Sequence, residues 1–327
     1  PTLNNSGPFR WYIHDCLLDN VGLDRFVTNL IRMGGSKELG GPAGFGAASE
    51  NDVPMAAKAH VLGTAFLGVE MKCARCHDAP NHPFEQSDLF AMAAMLEGTP
   101  LEVPASSSIP ATPEELDEMI VSVSITPGEK ISPAWPFDEF GDTTGPAGEL
   151  RPESTREQLA WAITGPANIR FREVLANRLW MRLMGRGLVD SASDWSERTP
   201  SHPQLLRFLA RELLVSGDDL KHLARLIMTS AAYQRQAVPG VAGDQPAGAA
   251  FRGPVRRRLT AEQLVDSLHI ATGKPMRAEV QSFGQDGSQP RSTFPELGRP
   301  SRAWQLVCSA SERDRISLGI PQVDLLN

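Results

Sequence analysis

A proline-rich stretch at residues 99–155 is the feature that most restricts how this chain can fold. Prolines recur there at positions 100, 104, 110, 113, 127, 133, 136, 146 and 152. Each proline fixes φ and removes a backbone donor, which excludes helix interiors and central strands. The segment "MIVSVSIT" (119–126) has strand composition, and residues 128–137 can return as its partner. We therefore predict a connector with a small β element at 99–155, between a region at 1–98 and a domain at 156–327.

Residues 1–98 carry the apolar spacing of amphipathic helices. Between residues 8 and 33, apolar side chains recur three and four positions apart, and residues 20–22 divide this stretch into two helices. Glycines and prolines predict a loop over 34–54, after which Pro54 begins a helix that leads straight into the segment at 71–84. Ser87 or Asp88 is a candidate N-cap for the next helix, which ends at Gly98.

Residues 156–327 are again dominated by helical patterns, which are separated by glycines and capping residues. The predicted boundaries of these helices are Ser154 or Thr155, Gly185, Ser201, Gly217, Thr260 and Gly273. Residues 274–303 are predicted to form a loop. The fold class that follows is mainly α, helical bundle-like, with the small β element in the connector.

Composition narrows the functional classes. The chain has 327 residues, 41% of them hydrophobic, and a formal net charge of −7. No basic field covers such a chain, so we predict no nucleic-acid partner. No apolar run of about 18 residues occurs, so we predict no transmembrane segment in this chain. The sequence starts at Pro1 without a visible signal peptide and ends within a pattern, which predicts a processed product or a fragment.

The segment "MKCARCHDAPNHPF" (71–84) carries the chemistry, because its C-x-x-C-H pattern is the attachment signature of c-type haem. Two thiols one turn apart, at Cys73 and Cys76, can each form a thioether with a haem vinyl group. The imidazole of His77 then reaches the iron as the proximal ligand. The motif therefore predicts a covalently bound haem c.

Three other interpretations of the motif stay open. A structural zinc site needs two more ligands, and Cys16 and Cys308 are remote single cysteines that we expect to be free thiols. A thioredoxin-like redox pair, or a local disulfide, is expected in a βαβ context, whereas the flanks of this motif are helical in pattern. A pattern with three fixed positions can also arise by chance.

The ligand on the opposite face of the haem iron is less well defined. His82 lies five residues after His77 and can reach the iron only if the chain folds back at a proline. Met71 and Met92 supply thioether sulfur, although methionines at helical spacing are usually packing residues. An open sixth position is the remaining alternative, and it favours small-molecule chemistry over pure electron transfer.

Polar residues in the second half have simpler explanations. His202 stands at a helix start, Asp194 and the Asp218–Asp219 pair lie in turns, and Arg178 lies within a helix. Capping and structural hydrogen bonds account for such positions. A hydrolase that uses His202 with Asp194 or Arg178 requires these side chains to converge in one cleft.

Several segments together resemble a known family. "FLGVEMKCARCHDAPNHPF", "REVLANRLWMRLMGRGLVDSASDW", "SHPQLLRFLARELL", "DLKHLARLIMTSAAYQR" and "RRRLTAEQLVDSLHIATG" resemble, in order, parts of large exported proteins abundant in planctomycetes. Those proteins carry a planctomycete cytochrome-C domain followed by two paired domains of unknown function. In this chain, residues 79–81 separate the motif from "HPF", where the family has C-x-x-C-H-D-H-P.

The resemblance implies export to the periplasm or cell surface, where haem c is attached, and an attached cytochrome domain or redox partner protein. The function predicted is an exported c-type haem protein for electron transfer or oxidative chemistry, with a link to cell-surface polysaccharide metabolism suggested by association. The alternative is a non-enzymatic exported scaffold or glycan-binding module without haem.

Overall fold

The structure is a computed structural model. It describes residues 7–35, 41–47, 52–78, 83–109, 115, 118, 121–145, 152–237, 253–254, 267, 270–273, 280–283 and 290–293. The predicted sites at His82, Cys308 and Thr260 lie outside these residues. The chain forms two compact units, one of Tyr12–Val255 and one of Pro1–Trp11 with Arg256–Asn327. Where the described elements are regular they are overwhelmingly helical, so the mainly α prediction is confirmed.

Two helices open the chain, as their spacing predicted. Helix α1 spans Gly7–Leu18 and helix α2 spans Leu23–Arg32. Between them Asn20 adopts a φ of 56°, a left-handed conformation that a continuous helix does not tolerate. A short helix, α3 (Ala43–Ala47), lies where a loop was predicted.

The third long helix stops earlier than predicted. Helix α4 spans Pro54–Leu62 and passes into a π-helical turn at Gly63–Leu67. Gly68 then takes a φ of 67°, which ends the helix before the cysteine motif. The prediction that the helix runs straight into the motif is therefore wrong, because residues 69–72 are not helical.

Helix α5 (Gln86–Glu97) follows the motif and ends at Gly98, as predicted. Its N-cap is Glu85, not Ser87 or Asp88. Asp88 instead takes part in a capping box, in which its Oδ2 accepts the backbone N–H of Glu85 at 2.9 Å. The helix is buried along most of its length and supports the region around the motif.

The connector contains a small β element, although its pairing differs from the prediction. Strand β1 (Leu101–Glu102) pairs antiparallel with β2 (Lys130–Ile131). From the segment predicted as a strand, Ser122 forms a single antiparallel bridge with Asp78 of the motif instead. A bridge to the motif gave no local sequence signal, because its two partners are 44 residues apart.

Four helices follow the connector: α6 (Thr155–Thr164), α7 (Ile169–Met184), α8 (Pro203–Val215) and α9 (Leu220–Thr229). Ser154 caps α6 and Gly185 ends α7, as predicted, whereas α8 has His202 as its N-cap residue in place of Ser201. The last three helices share one apolar core, formed by Val174, Ala176, Trp180, Met184, Leu188, Val189, Trp195, Leu206, Leu209, Leu213, Leu223 and Ile227. Each large side chain buried in this way contributes about 1.5–3 kcal/mol.

The unit of Tyr12–Val255 joins elements from both sides of the connector. Thr155 donates from Oγ1 to the carbonyl of Met95 at 2.8 Å, and the hydroxyls of Thr28 and Thr164 are 3.2 Å apart. Helices α5 and α2 therefore both pack on α6. The domain boundaries predicted at 98/99 and 155/156 stay a prediction.

In the second unit, strands β3 (Val280–Phe283) and β4 (Pro290–Thr293) form an antiparallel pair. The prediction of a loop over 274–303 is therefore wrong for these eight positions. The pair has one proline, at a strand end where a missing N–H donor is tolerated. Among the described residues, no helix combines the length and apolar character needed to cross a membrane.

Candidate functional site

The cysteine motif forms a tight turn on the surface of the larger unit. A single 3-10 turn covers Cys73–Arg75, and the carbonyl of Cys73 accepts the N–H groups of Cys76 at 3.1 Å and His77 at 3.2 Å. Cys73 is exposed, Cys76 is half-buried, and both are free thiols, as is the buried Cys16. The turn therefore presents two reduced sulfur atoms and one imidazole within five consecutive residues.

An anchor on one side of the turn involves Asp52. The Nη2 of Arg75 donates to Asp52 Oδ1 at 2.7 Å, and the hydroxyl of Ser106 donates to Asp52 Oδ2. The hydrogen bond from Ser106 and the positive charge of Arg75 hold the pKa of Asp52 below its usual value. The Sγ of Cys76 lies 3.8 Å from the carbonyl oxygen of Ser106, so the same segment also contacts the second thiol.

The hydrogen bond of His77 determines which ring nitrogen can bind a metal. Its Nδ1 lies 2.8 Å from the carbonyl oxygen of Asp78. A carbonyl oxygen only accepts, so Nδ1 carries the proton and Nε2 keeps its lone pair. Metal-binding histidines usually have this arrangement, with the second nitrogen donating to a carbonyl or carboxylate.

Asp78 connects the motif to two other segments. Its backbone N–H donates to the carbonyl of Ser122 at 2.8 Å. Its Oδ1 accepts the N–H of Gln86 at 2.8 Å and the hydroxyl of Ser124 at 2.9 Å, while Oδ2 accepts the hydroxyl of Ser122 at 3.2 Å. Sequence analysis missed this role, and the only signal was an acidic residue shortly before a helix start.

Three polar atoms near the turn are buried without a hydrogen-bond partner: Arg75 Nη1, Gln86 Oε1 and Ser107 Oγ. Gln86 and Ser107 are fully buried, and Gln86 Nε2 donates to the Ser107 carbonyl at 3.1 Å. Such atoms are rare in folded proteins and tend to mark places where a further group binds. The thiols, the Nε2 lone pair and these atoms fit a covalently attached haem in the chemistry of the donor set.

The predicted sixth ligands differ in their surroundings. Met71 is fully buried, and its Cε packs against Gly63, where an added Cβ would lie 2.7 Å away. Met92 is fully buried within α5. Both methionines therefore have packing roles in the core. The choice among Met71, Met92 and His82 stays a prediction.

The other candidate residues bind different parts of the fold. Arg178 Nη2 donates to the Thr64 carbonyl at 2.8 Å in the π-helical turn, and His202 Nδ1 lies 3.1 Å from the hydroxyl of Ser201. Asp194 Oδ1 accepts the N–H of Ser196 at 2.9 Å, a turn contact. Across the described ranges, no group of three or more His, Cys, Asp or Glu side chains is placed to hold a metal ion.

Comparison with known families identifies both parts of the chain. Residues 2–100 match the family described as protein of unknown function DUF1549 (PSCyt2), and residues 155–315 match protein of unknown function DUF1553 (PSD1). No curated protein and no solved structure matches the chain. The motif at 73–77 and the contacts of Asp78 with α5 thus lie in the first matched region.

Proposed function

The chain belongs to the family of proteins that pair a DUF1549 domain with a DUF1553 domain, and from this premise we propose that it is a c-type haem protein. Cys73 and Cys76 attach the haem and His77 is its proximal ligand. The short name PSCyt2 of the first domain is consistent with a link to cytochromes. The bound haem serves electron transfer or oxidative chemistry.

One observation carries this proposal. The same short turn that holds both thiols also holds an imidazole whose Nδ1 donates to the Asp78 carbonyl at 2.8 Å. A histidine with its proton fixed on Nδ1 offers Nε2 to iron without a tautomer change. A disulfide pair or an accidental cysteine pattern gives no reason for this arrangement.

The residues around the turn hold it in place. Asp52 fixes Arg75 between the two cysteines, and Asp78 fixes the backbone after His77. The haem, when bound, supplies the redox change of its iron. Because Cys73 is exposed, that edge of the group is accessible to a redox partner protein or an attached cytochrome domain.

The proposal includes a compartment. Haem c is attached outside the cytoplasm in the family that the sequence resembles, so this chain acts in the periplasm or at the cell surface. A link to cell-surface polysaccharide metabolism is part of the same proposal and is tested separately by ligand binding.

The test is expression of the chain with an export signal in a bacterial host that matures c-type cytochromes. We expect a pyridine haemochrome spectrum of the thioether type and a mass increase of one haem. Cys73→Ser and Cys76→Ser should each lose one thioether, and the double variant should lose covalent haem altogether. Cys16→Ser is the matched control, because Cys16 is buried outside the motif.

A colourless wild-type protein, with the mass of the bare chain and both motif thiols open to alkylation, would refute the proposal. It would instead favour the scaffold or glycan-binding module without haem. His77→Ala separates attachment from ligation: the haem should remain covalently bound while its absorption bands shift, because the proximal nitrogen is lost.

A further inference from the structure

A cleft of about 450 Å³ opens on the larger unit, and its walls do not include Cys73, Cys76 or His77. Its volume lies within the range of small-molecule sites, about 300–1,000 Å³. Segments from both matched regions and from the connector line it: Gly68, Val69, Pro83, Phe84, Asp88, Pro136, Phe137, Glu139, Phe140, Arg170, Trp195 and Ser196.

Arg170 is held rigidly in the wall of this cleft. Its Nε donates to the Leu67 carbonyl at 3.0 Å, and its guanidinium carbon lies 4.4 Å from the ring centroid of Trp195 and 5.3 Å from that of Phe140. The two Nη groups donate to no acceptor among the residues that the structure describes. A half-buried guanidinium with unused donors favours a ligand that carries hydrogen-bond acceptors.

Two carboxyl groups lie in the same cleft. Glu139 is exposed, and burial raises the pKa of Asp88, with further contributions from the charges of Glu85, Asp78 and Glu139. The Oδ2 of Asp88 already accepts the Glu85 N–H. Carboxylate oxygens accept hydrogen bonds, so the same ligand must also carry donors.

Apolar rings form the remaining surface. Phe84 and Phe140 both pack against the buried Phe137, with centroids 5.5 Å and 5.7 Å away, and Pro83 and Pro136 complete this wall. Phe84, Phe140 and Pro136 are half-buried and Pro83 is exposed. The ligand therefore meets apolar surface next to polar groups, within one cleft.

These features select one class of ligand. A strongly anionic ligand meets two carboxylates, and a strongly cationic one meets Arg170, so a like charge opposes either. A neutral molecule with several hydroxyls both donates and accepts, and the C–H face of a sugar ring is apolar. We propose that this cleft binds a neutral sugar unit, with Glu139 accepting from its hydroxyls and Arg170 donating to its oxygens.

The experiment is titration calorimetry of the full chain with three neutral tetrasaccharides: cellotetraose, maltotetraose and mannotetraose. We expect at least one to bind. Glu139→Gln and Arg170→Lys should each weaken that binding about tenfold or more, since each removes a hydrogen bond that involves a charged group. Glu102→Gln, at an exposed acid of β1 outside the cleft, should leave the affinity unchanged.

Thermal denaturation of each variant verifies that it is folded, and the exposed Glu139 makes the first variant safe in this respect. Absence of binding by all three sugars would overturn the proposal, and so would binding that both variants leave unaltered. Tighter binding of tetragalacturonate or spermidine than of every neutral sugar would also overturn it. The outcome does not depend on haem, because apoprotein and haem-loaded protein both contain the cleft residues.

Discussion

The carboxylate of Asp218 accepts two hydrogen bonds from Arg172, one from Nε at 2.9 Å and one from Nη2 at 2.8 Å. Both side chains are only 3% exposed. The other Arg172 donors reach the carbonyls of Thr164, Gly165 and Asn168 at the turn between α6 and α7. The Asp218 carbonyl also accepts the N–H of Leu23 at 3.0 Å, so this pair joins three parts of the larger unit.

We predict that Asp218→Asn lowers the free energy of unfolding by about 3–5 kcal/mol, since it leaves the buried charge of Arg172 without its counter-ion. Asparagine suits the φ of 58° at this position, so backbone strain does not confuse the result. Urea denaturation measures the change. Asp190→Asn is the control: Asp190 forms an exposed pair with Arg186 at 3.6 Å and should cost under about 1 kcal/mol. Equal effects of the two substitutions would contradict the prediction.

Sequence analysis succeeded where the signal is local. Asn20 breaks the first helical stretch, Ser154 caps α6, and Gly98 and Gly185 end their helices, because each of these roles depends on a residue's own backbone preference or on neighbours within one turn. Asp218 was assigned to a turn or a cap. Its partner lies 46 residues away, and spacing along the chain does not reveal such a contact.

The candidate site divides in the same way. The motif at 73–77 is visible in five letters, whereas the contact of Asp78 with Ser122 and Ser124 requires the connector to fold back on the motif. Gly68 ends a helix that apolar spacing alone extended by several residues, because the packing of Trp195 against it is a tertiary effect.

Gly68→Ala should destabilise the protein for two reasons. Gly68 has a φ of 67°, and an added Cβ would lie 2.8 Å from Cδ1 and Cγ of Trp195. Strain of about 1–2 kcal/mol from the left-handed backbone and about 1–3 kcal/mol from overpacking should combine. Chemical denaturation measures the sum.

Gly128→Ala separates these two causes. Gly128 has a φ of 89°, yet nothing lies within 4 Å of an added Cβ there. This substitution should therefore show the backbone cost alone. If it destabilises the protein as much as Gly68→Ala does, the contact with Trp195 has no energetic role.

Asp78→Ala should destabilise the protein by about 1–3 kcal/mol, because the N–H of Gln86 at the start of α5 loses its acceptor and two serine hydroxyls lose theirs. In the exported protein we also expect a lower yield of covalent haem, since the turn that carries His77 loses one of its anchors. Asp138→Ala, at an exposed position of the connector, should change the free energy of unfolding by no more than about 0.5 kcal/mol. Full stability of Asp78→Ala would show that the carboxylate is not an anchor.

Asp88 should make stability fall as the pH rises from the acid range. Burial raises the pKa of its carboxyl group above the unfolded value of about 4, so the folded protein holds the proton more tightly. The resulting stabilisation is complete below about pH 4 and is lost as the pH rises through the folded value. The stability of the wild type relative to Asp88→Asn should therefore decrease between about pH 4 and about pH 7, as measured by urea denaturation at each pH.

Asp142→Asn provides a comparison with the opposite sign. Hydrogen bonds from the hydroxyl and the N–H of Thr144 lower the pKa of Asp142, so its stabilisation is present above about pH 4 and is lost on acidification. The stability of the wild type relative to Asp142→Asn should thus increase as the pH rises through the acid range. Slopes of the same sign for both variants would show that burial is not what controls the Asp88 carboxyl group, because only that group lies in the wall of the cleft.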